Sequence, residues 1–180
     1  MTQQERQLHL NAFLNGSGHH EAAWRHEHVD PLAELGVEHY TRIAQLAERG
    51  KLDSVFLADG LAVSSNIGFN THHSFEPLTL LAALATATSR IGLIATASTT
   101  YNQPYSLARA LASVDRISGG RAGWNIVTSA GAGEALNFNL SDRPAHAVRY
   151  ERADEFLTTA KALWDSWADD AVVADRKSVV

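Results

Sequence analysis

The chain has 180 residues, 45% of them apolar and 19% charged, a makeup that suits one sizeable soluble core and argues against disorder. A formal net charge of -5, with fifteen basic residues scattered along the chain, gives no electrostatic footprint for nucleic acid or anionic membranes. Cysteine is absent, which removes disulfides, thiolate nucleophiles and cysteine zinc sites together and fits a reducing compartment.

The polar amino terminus does not read as a signal peptide. No segment approaches the ~20 consecutive apolar residues that span a bilayer. The expectation is a cytoplasmic protein with neither a nucleic-acid nor a membrane partner.

Taken in order, the first element is QLHLNAFL, residues 7–14. Apolar and polar residues alternate there, predicting a strand that Asn15, Gly16, Ser17 and Gly18 end. From Val37 to Arg49 the apolar residues Val37, Tyr40, Ile43, Ala44 and Ala47 recur at three- and four-residue steps before Gly50, predicting an amphipathic helix. SVFLADG, residues 54–60, reads as a buried strand with Asp59 at its end.

Pro77 then suits the first turn of a helix running through LTLLAALATATS. A second buried strand covers 91–95 and ends at Thr96. Pro104 opens a helix with Leu107, Leu111, Val114 and Ile117 on one face, closed by Gly119 and Gly120. The fourth strand is 122–127, with Asn125, Thr128 and Ser129 at its end. A long helix follows over about 147–167, its apolar side carrying Ala153, Phe156, Leu157, Ala160, Leu163, Trp164 and Trp167.

Four strand–helix alternations imply parallel strands with right-handed crossovers, in an open doubly wound sheet or in part of a (β/α)8 barrel. Periodicity leaves that choice open. A barrel needs about 250 residues, so four units are roughly half of one. The last six residues, 175–180, abandon the pattern. They can be encoded by GAT CGG AAG AGC GTC GTG before TAG, which resembles a sequencing adapter, so the expected division is a domain over 1–174 and a non-native tail over 175–180.

Ligands of parallel α/β folds bind outside the carboxyl ends of the strands. The residues to weigh are therefore 15–20, Asp59, Thr96 and 125–129; a cap or loop hydrogen bond is the ordinary role for any one of them. The pairs His19–His20 and His72–His73 invite a metal-hydrolase reading with Asp59. Their spacing disfavours it, because no HExxH helix is present and adjacent residues of an extended segment point to opposite faces. His146 and Tyr150, four apart at a helix start, would share a face near N–H groups suited to a phosphate, or would simply pack together. No dinucleotide glycine motif or GxSxG elbow follows any strand.

Together, HLNAFLNGSGHHEAAWRH, FLADGLAV, RIGLIATASTTYNQPY, SGGRAGWNIVTS and HAVRYERADEFLTTAKALWDSW closely resemble the amino-terminal part of the nitrilotriacetate monooxygenase component A family of the luciferase-like superfamily. The resemblance implies an α/β fold, a (β/α)8 TIM-like barrel of the bacterial luciferase type, truncated here after about four β/α units. It also implies reduced FMN supplied by a separate NAD(P)H:flavin reductase. O2 and the bound flavin would oxygenate a small organic substrate of aminopolycarboxylate, organosulfur or alkane type, and the protein would orient and shield the cofactor.

The family's flavin contacts fall on Asp59, Thr96, His146 and Tyr150, with Asn125 and Thr128 as neighbours. His19 and His20 are the candidates for facing the substrate, and no metal is expected. Full-length relatives imply a homo-oligomer. The 180-residue chain itself is expected to be inactive, and two alternatives remain: a truncated, non-catalytic fragment that binds flavin weakly, or a deazaflavin-dependent hydride-transfer oxidoreductase on the same scaffold.

Overall fold

The computed structural model describes residues 7–20, 22–63, 75–168 and 170–172. His72, His73 and the expected tail over 175–180 lie outside the described residues. The strand–helix alternation is present as β1 (Asn11–Phe13), α1 (Val37–Arg49), β2 (Ser54–Leu57), α2 (Pro77–Ala87), β3 (Gly92–Ser98), α3 (Pro104–Ser118), β4 (Ala122–Val127) and α4 (His146–Trp164). All strand pairs are parallel and the order is β1-β2-β3-β4. Chain order without reversal is an arc of a (β/α)8 barrel, since a doubly wound sheet would switch direction partway.

Several expected boundaries differ. The first strand pairs only over Asn11–Phe13, because β2 begins at Ser54 opposite Asn11. Leu8, 88% exposed, has no strand beside it. Ahead of that point the Asp53 carboxylate accepts the Leu10 N–H at 2.6 Å and the His9 ring nitrogen at 3.1 Å, so His9 precedes the strand rather than lying within it. β2 ends at Leu57, two residues before Asp59. β3 runs on to Ser98, which puts Thr96 inside the strand.

Local chemistry starts and stops the helices. Glu76 caps α2 by accepting from the Leu78 and Thr79 N–H groups at 3.0 and 2.7 Å, with Pro77 in the first turn. α3 begins at Pro104 and ends on Gly119 and Gly120, whose φ of 72° and 89° need glycine. After α1 the left-handed residue is Lys51, at φ 58°, and not Gly50.

Alternation along the strands separates two faces. Val55, Leu57, Leu93 and Ala95 pack outward against Tyr40 and Ala44 of α1 and Leu80, Leu81 and Leu84 of α2. A second cluster joins Ala97, Leu107, Leu111 and Phe156, with Trp124 against it. The opposite face is the concave interior, where Phe13 and Phe56 rings meet at 5.0 Å and Ser54 donates to Asn11 Oδ1 at 2.7 Å.

Two helix faces depart from expectation. Ile117 is 52% exposed because Val114 and Ser118 take the buried positions of α3. In α4 the buried stripe is Arg149, Ala153, Phe156 and Ala160, while Trp167, beyond the helix end, is 70% exposed. Trp164 is also exposed, although its indole N–H reaches Ala108 O at 3.0 Å. Among the described residues β4 is an edge strand, so nothing packs on the far side of these rings.

The amino-terminal ends of the strands are stitched by charged side chains. Arg121 donates to Ala85 O, Thr88 O, Thr88 Oγ1, Ile91 O and Ser118 O at 2.7–3.1 Å. Glu48 accepts the Ser89, Arg90 and Ile91 N–H groups, and the bonds from Arg90 and Ile91 chiefly hold its carboxyl below the ordinary range. This end of a barrel serves stability, and it leaves the opposite end for chemistry.

Candidate functional site

At the carboxyl ends, Thr96 of β3 and Asn125 of β4 are direct partners in register. Thr96, expected just past its strand, lies within it, as Asn125 lies within the expected 122–127, and both are on the interior face. The Asn125 amide donates to Thr96 Oγ1 at 3.0 Å. That arrangement leaves the Thr96 hydroxyl proton and the Asn125 carbonyl to meet a polar edge in the interior.

Past β4 the chain turns sharply. Ser129 is held at φ 54° and its hydroxyl bonds Ser98 Oγ at 2.8 Å. Thr100 donates to Thr128 O at 2.7 Å. Above this turn starts α4, whose N-cap Ala145 makes no side-chain cap, so the first N–H groups and the positive end of the helix dipole are available to an anion. His146 and Tyr150 stack on one face with centroids 4.4 Å apart.

Asp59, Thr128 and Tyr150 line one cavity of about 580 Å³ together with Glu134 and Asp154. His146 joins them through its stack on Tyr150. The Thr96–Asn125 pair does not line this cavity; strand β4 connects the two, since Asn125 stands three residues before Thr128.

A larger apolar groove, about 1150 Å³, runs between α3, α4 and β4 past Trp124, Leu157 and Trp164. It contains none of the strand-end polar residues, so its size does not make it the site. The smaller cavity gathers the groups that ligand chemistry requires.

Asp59 is the perturbed group of this cavity. Burial pushes its carboxyl above the ordinary 3.8; the Gly60 N–H opposes that rise, and the Glu76 and Glu134 carboxylates add to it. An acid raised in the folded state costs nothing below its unfolded value and destabilises as pH rises through the folded one. Asp59→Asn is therefore expected to unfold at higher denaturant than the parent at neutral pH, and at the same denaturant near about pH 3. Equal midpoints at both pH values would refute this.

His19 and His20 sit apart from this group. His19 bonds the Asn15 amide at 2.8 Å and packs 6.3 Å from the Phe13 ring, at the mouth of β1. His20 accepts the Ala22 N–H at 3.1 Å.

Sequence reasoning missed Arg149 and Glu134. Arg149 is buried and donates to Thr128 and Ser129. Its signal was the spacing 149, 153, 156, 160, which is the buried stripe of α4. Glu134, also buried, accepts the Gly131 N–H at 3.2 Å and carried no pattern.

The residues present fit a flavin mononucleotide. The uncapped start of α4 suits its phosphate, and the Thr96–Asn125 pair suits the polar edge of a ring. The Tyr101 hydroxyl, just after β3, is buried without a hydrogen-bond partner among the described residues, its ring stacked on Phe138 at 4.5 Å. A buried polar atom of that kind is completed by a ligand or water.

Residues 17–177 match the family model described as luciferase-like monooxygenase. N-acetyl-S-(2-succino)cysteine monooxygenase of Bacillus subtilis (strain 168) is 48% identical over 99% of this chain and 40% of its own length. Nitrilotriacetate monooxygenase component A of Aminobacter aminovorans is 43% identical over 95% of this chain and 40% of its own. A solved riboflavin lyase with modified FMN and riboflavin superposes with TM-score 0.84 at 33% identity, over 96% of this chain and 41% of that one. The chain thus spans about 40% of the length of the curated relatives it matches. On the strength of the family match and of four parallel β/α units in barrel order, the chain belongs to the luciferase-like monooxygenase family.

Proposed function

We propose that this chain carries the flavin-binding strand ends of a two-component monooxygenase. Reduced FMN, supplied by a separate NAD(P)H-dependent flavin reductase, would react with O2 and oxygenate a small organic substrate. The observation that carries the reading is the convergence of Asp59, Thr128 and Tyr150 on one cavity, with His146 stacked on Tyr150 beside an uncapped helix start.

Flavin supplies the oxygen chemistry, and the chain's own residues supply position and dryness. His146, Tyr150 and the first N–H groups of α4 hold the phosphate side. Thr96 and Asn125 orient the ring edge from the interior face. Asp59, whose carboxyl burial pushes above the ordinary carboxylate range, orders the loops at the mouth. The named relatives point to substrates with carbon bonded to sulfur or nitrogen.

A direct test supplies the purified full-length protein with photoreduced FMN, ¹⁸O2 and a panel of succinylated thioethers and aminopolycarboxylates. The expected result is one labelled oxygen atom in a product of one panel member. Oxygen consumption that yields only labelled hydrogen peroxide, with every panel member intact, would count against an oxygenase.

A further inference from the structure

Glu34 is a buried carboxylate, at 6% exposure, that the flavin contacts described above do not use. It lies in a short 3-10 turn, Ala33–Leu35, separated from α1 by Gly36. What it meets is the turn that follows β1. The Gly18 N–H donates to Asn15 O at 2.8 Å, which closes a four-residue turn with Gly16 and Ser17 at its centre.

Both central residues are gripped. Glu34 Oε1 accepts the Ser17 N–H at 2.8 Å and the Ser17 hydroxyl as well. The same carboxylate lies against the Gly16 Cα, where a Cβ would stand 2.7 Å from Oε1 and nearer still to Oε2. From α1, His39 Nε2 donates to Gly16 O at 3.1 Å.

Burying a carboxylate is costly unless hydrogen bonds compensate it, and this one is buried beneath a turn of which no residue belongs to either core cluster. The grip therefore adds little to packing. What the turn presents is His19, the next residue, whose Nδ1 accepts from the Asn15 amide at 2.8 Å and whose ring lies 6.3 Å from that of Phe13 on the interior face. With Nδ1 engaged as an acceptor, the neutral ring carries its proton on Nε2.

We propose that Glu34 is a positioning residue for the substrate side of the site: by gripping Gly16 and Ser17 it fixes the Asn15–Gly18 turn, and with it the place of the His19 ring at the mouth of β1. The inference rests on the oxygenase reading above, with His19 facing the substrate. It involves none of the groups assigned to flavin on β3, β4 and α4, so substrate handling and flavin affinity respond separately.

The test uses the full-length protein with reduced FMN, O2 and the panel of succinylated thioethers and aminopolycarboxylates. It measures kcat and KM for the panel member that the parent oxygenates, the share of O2 released as hydrogen peroxide, and the dissociation constant of reduced FMN. Glu34→Ala is expected to lose at least about tenfold in kcat/KM and to release more peroxide, with flavin affinity within about twofold of the parent's. Glu34→Gln, which keeps an acceptor for Ser17, should recover kcat/KM to within about threefold of the parent.

Gly16→Ala forces the turn off the carboxylate from the other side and should show the same loss, and the double variant Gly16→Ala/Glu34→Ala should lose little more than either alone. A merely structural carboxylate would lower flavin affinity in step with kcat/KM, and that result, or a parental kcat/KM in Glu34→Ala, overturns the inference. Should Glu34→Ala not fold, a parental kcat/KM in Gly16→Ala overturns it by itself. A parent that oxygenates no panel member would instead remove the oxygenase reading, and this inference with it.

Discussion

Phe156→Ala is expected to lower the free energy of unfolding by ~3–5 kcal/mol, the usual cost of emptying an aromatic site that cannot collapse. Phe156 is 2% exposed and packs with Ala97, Leu107 and Leu111, while its ring lies 5.7 Å from that of Trp124. It is thus the side chain that fastens α4 to α3 and to the outer side of β3 and β4. Flavin affinity should fall with stability, because His146, Arg149 and Tyr150 ride on the helix that Phe156 anchors. Phe156→Leu, which retains most of the volume, should lose under about 1.5 kcal/mol and keep the site. Urea unfolding followed by far-ultraviolet circular dichroism measures both, and a Phe156→Ala midpoint equal to the parent's would contradict the packing described for α4.

Tyr150→Ala is expected to weaken binding of reduced FMN about a hundredfold, equivalent to ~2.7 kcal/mol. The substitution removes one wall of the cavity shared with Asp59 and Thr128, and also the surface on which the His146 ring stacks. Its own burial contributes little to folding, since Tyr150 is 53% exposed. Stability should therefore stay within about 0.5 kcal/mol of the parent, as for other surface positions. Tyr150→Phe keeps the stack and loses only the hydroxyl, so about a tenfold loss is expected, as for one hydrogen bond to a charged group. Unaltered affinity in Tyr150→Ala would remove the start of α4 from the site.

The bounds of helix α1 could be read to the residue from its apolar spacing and the glycine after Arg49, although the left-handed conformation that follows falls on Lys51. The first strand could not. Alternation reports which faces a segment would present, but pairing depends on the neighbour, and β2 offers its first partner only at Ser54. For Thr96 the difficulty was compositional: after the apolar run of β3 come Thr96, Ala97 and Ser98, small residues that suit a loop as well as a strand, and only register with 125–127 of β4 decides.

The site was legible as a set of strand-end polar residues and as a family pattern, and the structure adds their relation to one another. Asp59, Thr128 and Tyr150 come from three separate elements, so their shared cavity depends on crossover geometry that no local spacing records. Arg149 escaped because a charged residue on a helix ordinarily faces water. Its place in the stripe of Ala153, Phe156 and Ala160 was visible, yet meaningful only once four backbone and hydroxyl acceptors were found waiting beneath it.

The measurement that bears most directly on the account is an anaerobic titration of the purified protein with reduced FMN, followed by flavin fluorescence and calorimetry, for the parent and for Tyr150→Ala. The account predicts saturable binding of one flavin per site with micromolar or tighter affinity, about a hundredfold weaker in the variant. A parent that binds no flavin, or binds it equally with Tyr150 replaced, would mean that this barrel arc keeps the family's scaffold without the cofactor site assigned to it.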